Sequence, residues 1–255
     1  MQINQVAPSS GYTWIRQGFW LFKQNPFTFL MLVFLYMFIV QISMFIPIVG
    51  LMLVLIFSPT LSMGFLTACQ KVIRREVVRP SVYFTAFKEY PSSTRTRLIQ
   101  LGSIYTLLVV ILSAISSQFI NLEKIMPLLT QGNLSSPEVV KEMYAAMLIA
   151  AVLYLPIAIL MWFSPQLIAW KNMGVAKSIF GSWMGVWLNK GAFFVYFSTW
   201  AIILVATPMF LGAVFDSLGI SDYASYLITP FSLSAISVFY CSFFATWKSC
   251  FVDSN

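Results

Sequence analysis

Six apolar runs order this chain, at about 26–46, 48–69, 98–120, 144–168, 192–214 and 227–247. Each is long enough to cross a ~30 Å hydrocarbon core as a helix, and none carries a charged side chain away from its ends. The pattern predicts an all-α fold: a polytopic transmembrane helix bundle of six spans, paired as three hairpins in a single membrane domain over 1–255. The first two runs are joined by little more than the stretch Ile46, Pro47, Ile48, Val49 and Gly50, a turn signal that makes the first hairpin tight. The first run is too long for the core of a secretory signal and no small-residue cleavage site follows it, so the first helix is expected to be retained.

A second periodicity lies between the runs. Plotted at 100° per residue, segment 12–24 gathers Tyr12, Trp14, Ile15, Gly18, Phe19, Leu21 and Phe22 on one side. Arg16, Gln17, Lys23 and Gln24 fall on the other, as in an amphipathic helix lying at the membrane interface. Segment 176–190 repeats the design before the fifth run, with Ile179, Phe180, Trp183, Val186 and Trp187 on one face and Ser178, Gly181, Ser182, Gly185 and Asn189 on the other. The small face contains a Gly-x-x-x-Gly element, which suits either close helix packing or an exposed surface that no packing demands be large. A weaker copy, 81–90, precedes the third run, with Ser81 placed to cap it and Pro91 to end it. The unit is thus an interfacial helix followed by a hairpin, repeated three times.

The returning run of each hairpin also holds a hydroxyl residue followed by proline: Ser58 and Pro59, Ser164 and Pro165, Thr229 and Pro230. Proline inside a helix frees a carbonyl and bends the axis, and in lipid the freed group needs a nearby donor. These pairs read either as bends alone or as hinges that line a polar notch. Their positions within the runs place them at different depths, which argues against one shared binding layer.

Composition agrees with a membrane class: 59% of residues are hydrophobic and 9% charged, with a mean hydropathy of +0.83. Charge sets the orientation. On one side of the six-span map lie Arg16, Lys23, Lys71, Arg74, Arg75, Arg79, Lys88, Arg95, Arg97, Lys171, Lys177, Lys190 and Lys248, 13 of the 15 basic residues, leaving Lys124 and Lys141 opposite. Such a bias predicts both termini in the cytoplasm. The net charge of +7 is then mainly a topology signal, and no nucleic-acid partner is expected. The densest basic set, Lys71, Arg74, Arg75 and Arg79, together with Arg16 and Lys23, is a candidate contact for anionic phospholipid. The one sizeable outer loop, 121–143, includes an Asn133-Leu134-Ser135 acceptor pattern and a helix-start signal at Pro137.

Chemical motifs are sparse. The chain has no histidine, which excludes His-dependent zinc, haem and Ser-His chemistry. Cys69, Cys241 and Cys250 form no Cys-x-x-Cys pair and read as small apolar residues, and no phosphate-binding glycine loop occurs. No catalytic residue, metal ligand or cofactor is expected. Gln41, Gln118 and Gln166 are expected to serve as hydrogen-bonding glue between helices. Tyrosines and tryptophans are expected mostly at the ends of spans, in the headgroup layer.

The stretch from Trp14 through Gly18-Phe19-Trp20-Leu21 to Asn25-Pro26, the tight hairpin, Ser58-Pro59, Gly64 to Cys69 and the basic loop resembles an uncharacterised family of proteobacterial multi-pass inner-membrane proteins. Ser164-Pro165-Gln166-Leu167, Ser178, Ser182-Trp183 and Asn189 are similar to that family's second half. More distantly, the pattern resembles the membrane domain of glycerophosphodiester phosphodiesterases, whose catalytic residues lie in a separate soluble domain. The resemblance implies an inner-membrane location and no transferable activity. The expectation is a non-enzymatic, accessory or organising role through partner membrane proteins or anionic lipid. The alternative is a transporter or lipid-handling protein for a neutral or amphipathic substrate.

Overall fold

A computed structural model of the chain describes residues 2–119 and 137–252. The Asn133–Ser135 pattern, Lys124 and most of the outer loop lie outside the described residues. The described residues are mostly helical, and among them six stretches are long and apolar enough to cross a membrane. Helix α1 (Ser10–Gln24) precedes the first hairpin, α2 (Pro26–Ser43) and α3 (Val49–Ile73). A 3-10 turn (Pro80–Phe84) and the short α4 (Thr85–Lys88) precede the second, made of α5 (Ser92–Ser117) and α6 (Pro137–Trp162), which continues after a break as α7 (Ser164–Lys171). Helix α8 (Val175–Leu188) precedes the third. Its first span is α9 (Lys190–Ala201), a π-helical turn (Ile202–Ala206) and α10 (Thr207–Ser217); its second is α11 (Ala224–Cys250).

The three pre-hairpin segments are handed round the molecule. α1 packs chiefly on α11 and α9 of the third hairpin, the 3-10 turn and α4 pack on α3 of the first, and α8 packs on α6 and α7 of the second. Each segment therefore seats on the hairpin of the preceding unit, and α1 closes the cycle. Closure is tight, because a side chain at Gly18 would run into the Ser242 backbone. The termini complete it. β1 (Gln2–Ile3) pairs antiparallel with β2 (Phe251–Val252), and the Asn4 amide donates to the Cys250 carbonyl at 2.9 Å. Asn189 locks the same segment, accepting from the Val6 amide at 2.8 Å and donating to the Asn4 carbonyl at 3.0 Å. Both termini thus lie at one face of the bundle.

Packing is concentrated at that face. α2 buries Phe29, Leu32 and Val33 in its first half, α11 buries residues only from Ala235 onward, and neither the π turn nor α10 buries any. Around Trp162, the rings of Phe193, Phe197, Phe239 and Phe243 lie 4.7 to 6.3 Å away, mostly edge to face. All three cysteines are free and buried.

Several expectations change in detail. Ser81 does not cap a helix, since it lies inside the 3-10 turn that opens with Pro80. The short α4 ends at Lys88, three residues before Pro91, and α5 begins at Ser92. On the apolar side of α1, Tyr12 and Phe19 stay 56% and 41% exposed, because α11 and α9 cover only the narrower stripe of Gly11, Trp14, Ile15, Gly18 and Leu21. On α8 the small face is the packed one: Ser178, Ser182 and Gly185 are buried while Phe180, Trp183 and Trp187 are exposed.

Candidate functional site

The two serine–proline elements act on their helices differently. In α3, Pro59 lacks the amide that would bond the Leu55 carbonyl, and the Ser58 hydroxyl donates to that carbonyl at 2.8 Å instead. The helix continues through the proline. In the second hairpin the helix is interrupted at Phe163 by a side chain from α8. The Ser182 hydroxyl inserts into the ladder, accepting from the Phe163 amide at 2.9 Å and donating to the Ile159 carbonyl at 2.7 Å. Ser164 donates to the Leu160 carbonyl at 2.6 Å. Gln166, with its amide nitrogen turned inward, donates to the Phe163 and Trp162 carbonyls at 3.0 and 3.3 Å. Gln166 therefore serves the break in its own helix, not a bond between helices, and Gln41 and Gln118 are exposed.

These two distortions meet. Ser58, Pro59 and Pro165 line one cavity of about 360 Å³, walled by α2, α3, α5, α6, α7 and α11. Pro59 and Pro165 thus share one cavity, although their positions within the runs argued for different depths. Thr229 and Pro230 are exposed near the start of α11 and take no part.

The cavity walls are mostly apolar, with Val33, Leu61, Phe65, Met161, Trp162, Phe239 and Phe243, and no lining residue is charged. Seven hydroxyl residues break that surface: Tyr36, Ser58, Ser62, Tyr83, Tyr105, Tyr154 and Tyr240. Tyr105 and Tyr154 share a hydrogen bond of 2.9 Å across α5 and α6. Tyr83 reaches in from the 3-10 turn and donates to the Leu32 carbonyl at 2.8 Å. Burial, then the nearby Tyr240 and Tyr36 phenols, holds the Tyr83 hydroxyl well above the ordinary tyrosine range, so it is a neutral donor. The Tyr36 and Tyr240 hydroxyls have no hydrogen-bond partner among the described residues. Tyr240 lies ten residues from the end of α11 at Cys250, about 15 Å along the helix. Tyr36, Tyr105, Tyr154 and Tyr240 lie within the spans, apart from the headgroup-layer positions expected for most tyrosines. Their mid-run positions were the only sequence signal of this cluster.

The basic residues divide. Lys71 and Arg79 line a second pocket of about 350 Å³ beside the 3-10 turn, together with Ser81, Val82, Thr85, Lys88 and Glu89. Arg74 and Arg75 stand exposed outside it, and Arg16 and Lys23 lie on the exposed side of α1.

Among curated proteins, the chain is 36% identical over 255 residues to a "Probable inner membrane protein" of Burkholderia thailandensis, a match covering 98% of this chain and 94% of that one. No family model matches the chain. No solved structure matches it either.

Proposed function

The chain belongs to the family of the Burkholderia thailandensis probable inner membrane protein, and from that premise we propose that it is a non-enzymatic, lipid-handling protein that takes an uncharged amphipathic membrane constituent into the cavity between its hairpins. One observation carries this reading: Pro59, inside α3, and Pro165, just after the break at Phe163, line the same cavity, together with seven hydroxyl residues and no charge. Its volume falls in the range of small-molecule sites, and apolar walls with a few placed polar groups are what such sites use. The unpartnered Tyr36 and Tyr240 hydroxyls suit ester, ether or hydroxyl oxygens, whereas an ionised group would enter without a counter-charge and at heavy cost. In this reading both termini face the cytoplasm, as the basic bias indicates.

The test is extraction of lipids that co-purify with the parent and with Ala158→Trp, which fills the cavity from α6. The parent should retain an uncharged lipid above its abundance in the membrane, and the variant should lose it. Identical neutral-lipid profiles for both proteins would overturn the proposal.

A second reading, an accessory or organising role at the cytoplasmic face through anionic phospholipid or partner membrane proteins, is favoured by the convergence of Lys71 and Arg79 on one pocket.

A further inference from the structure

We propose that the pocket beside the 3-10 turn is a binding site for a phosphate group, held by Lys71, Arg79 and Lys88 with the Ser81 and Thr85 hydroxyls. The inference rests on the second reading above and names the ligand chemistry of that face. The three cations come from three elements: the last turn of α3, the residue before the 3-10 turn, and the last residue of α4. Their spacing in the sequence forms no motif; the fold assembles them around about 350 Å³ of space. Glu89 is the one acid in the lining, which leaves a net formal charge of +2.

The remaining basic residues of this loop are otherwise placed. Arg95 donates to the Phe87 carbonyl at 3.0 Å, and Arg97 donates to the Asn172 carbonyl and side chain at 3.0 and 2.8 Å. Arg75 occupies the left-handed region at φ 58°, where the chain turns away from α3, and with Arg74 it stands exposed outside the pocket. Ser81 and Thr85 make no side-chain hydrogen bond among the described residues, so both hydroxyls are free to donate to phosphate oxygens. Thr85 is 5% exposed and Val82 3% exposed, which sets one hydroxyl and an apolar floor at depth. A phosphate oxyanion matches this set: several charge-assisted donors, two neutral donors, and a compact shape.

The chemistry fits either a phospholipid headgroup or free phosphate, and the experiment separates them. Two double variants remove equal charge, Lys71→Gln with Lys88→Gln inside the pocket and Arg74→Gln with Arg75→Gln outside it. Each is reconstituted in nanodiscs of phosphatidylglycerol and phosphatidylcholine, and retained lipid is counted by native mass spectrometry. In detergent, thermal unfolding is followed with and without inorganic phosphate. Phosphatidylglycerol retention should fall at least about tenfold in the pocket variant and stay within about twofold in the outside variant. Lys71→Arg with Lys88→Arg should retain it, which separates loss of charge from loss of fold. Stabilisation by inorganic phosphate that vanishes in the pocket variant assigns the site to free phosphate as well; stabilisation absent while lipid retention persists assigns it to the headgroup. Equal losses in the two Gln variants overturn the pocket and leave only diffuse attraction. A parent that retains no anionic lipid and ignores phosphate overturns the second reading along with it.

Discussion

Ser182→Ala isolates the contact that breaks the fourth span. The Ser182 hydroxyl is fully buried and satisfies two backbone groups of another helix, the Phe163 amide at 2.9 Å and the Ile159 carbonyl at 2.7 Å. A buried polar group left without a partner costs about 1–3 kcal/mol. Two are orphaned here, and some cost is recovered if the ladder closes between Phe163 and Ile159. Such closure straightens the helix and strains Ser164, Pro165 and Gln166, all buried in fixed contacts, so a net loss of about 2–4 kcal/mol is expected. At ~2–4 °C per kcal/mol for a chain of this size, the unfolding midpoint should drop by roughly 4–16 °C. Ser178→Ala is the internal control. Its hydroxyl is equally buried but donates only to the Val175 carbonyl of its own helix, at 2.7 Å, so its loss should stay within about 1 kcal/mol. The assay is thermal unfolding in detergent, followed by circular dichroism and tryptophan fluorescence. Equal shifts in the two variants, or no shift in Ser182→Ala, would refute the role assigned to the inserted hydroxyl.

Two further outcomes follow from the fold. Gly18→Val places a side chain against the Ser242 backbone, so α1 should be forced off α11, and limited proteolysis should cut near 2–24 in the variant but not in the parent; equal protection would show that the approach is not needed. A reporter active only outside the cytoplasm should be active when fused after Asn133 and silent when fused after Arg79 or at Asn255, with the reverse pattern contradicting the orientation.

Spans, hairpins and the threefold unit were legible because each depends on a local periodicity: twenty or so apolar residues, or an amphipathic stripe of fifteen. The cavity was not. Tyr36, Tyr105, Tyr154 and Tyr240 lie on four different helices, and no one-dimensional pattern states which helices adjoin. The break at Phe163 was hidden for a related reason, since its cause is Ser182, nineteen residues away on another helix. The π turn has a local signal, Thr207 followed by Pro208, where the Thr207 hydroxyl donates to the Ile202 carbonyl at 3.0 Å. Among the basic residues, proximity in sequence suggested Arg74 and Arg75, whereas the pocket takes Lys88 from beyond the 3-10 turn.

The handing of α1 to the last hairpin also sets a schedule for biogenesis. The seat for α1 is chiefly α11, which ends at Cys250. At ~5–20 residues per second, roughly 10–50 s of translation separate α1 from its partner. Throughout that interval α1 has an uncovered apolar stripe and a basic opposite side, the form suited to resting on the bilayer surface. The amphipathic pattern in 12–24 therefore serves the nascent chain first as a float and the finished protein later as a clasp. Ribosome-bound intermediates lacking α11 would keep the N-terminal helix on the lipid, and release of the last hairpin would draw it off.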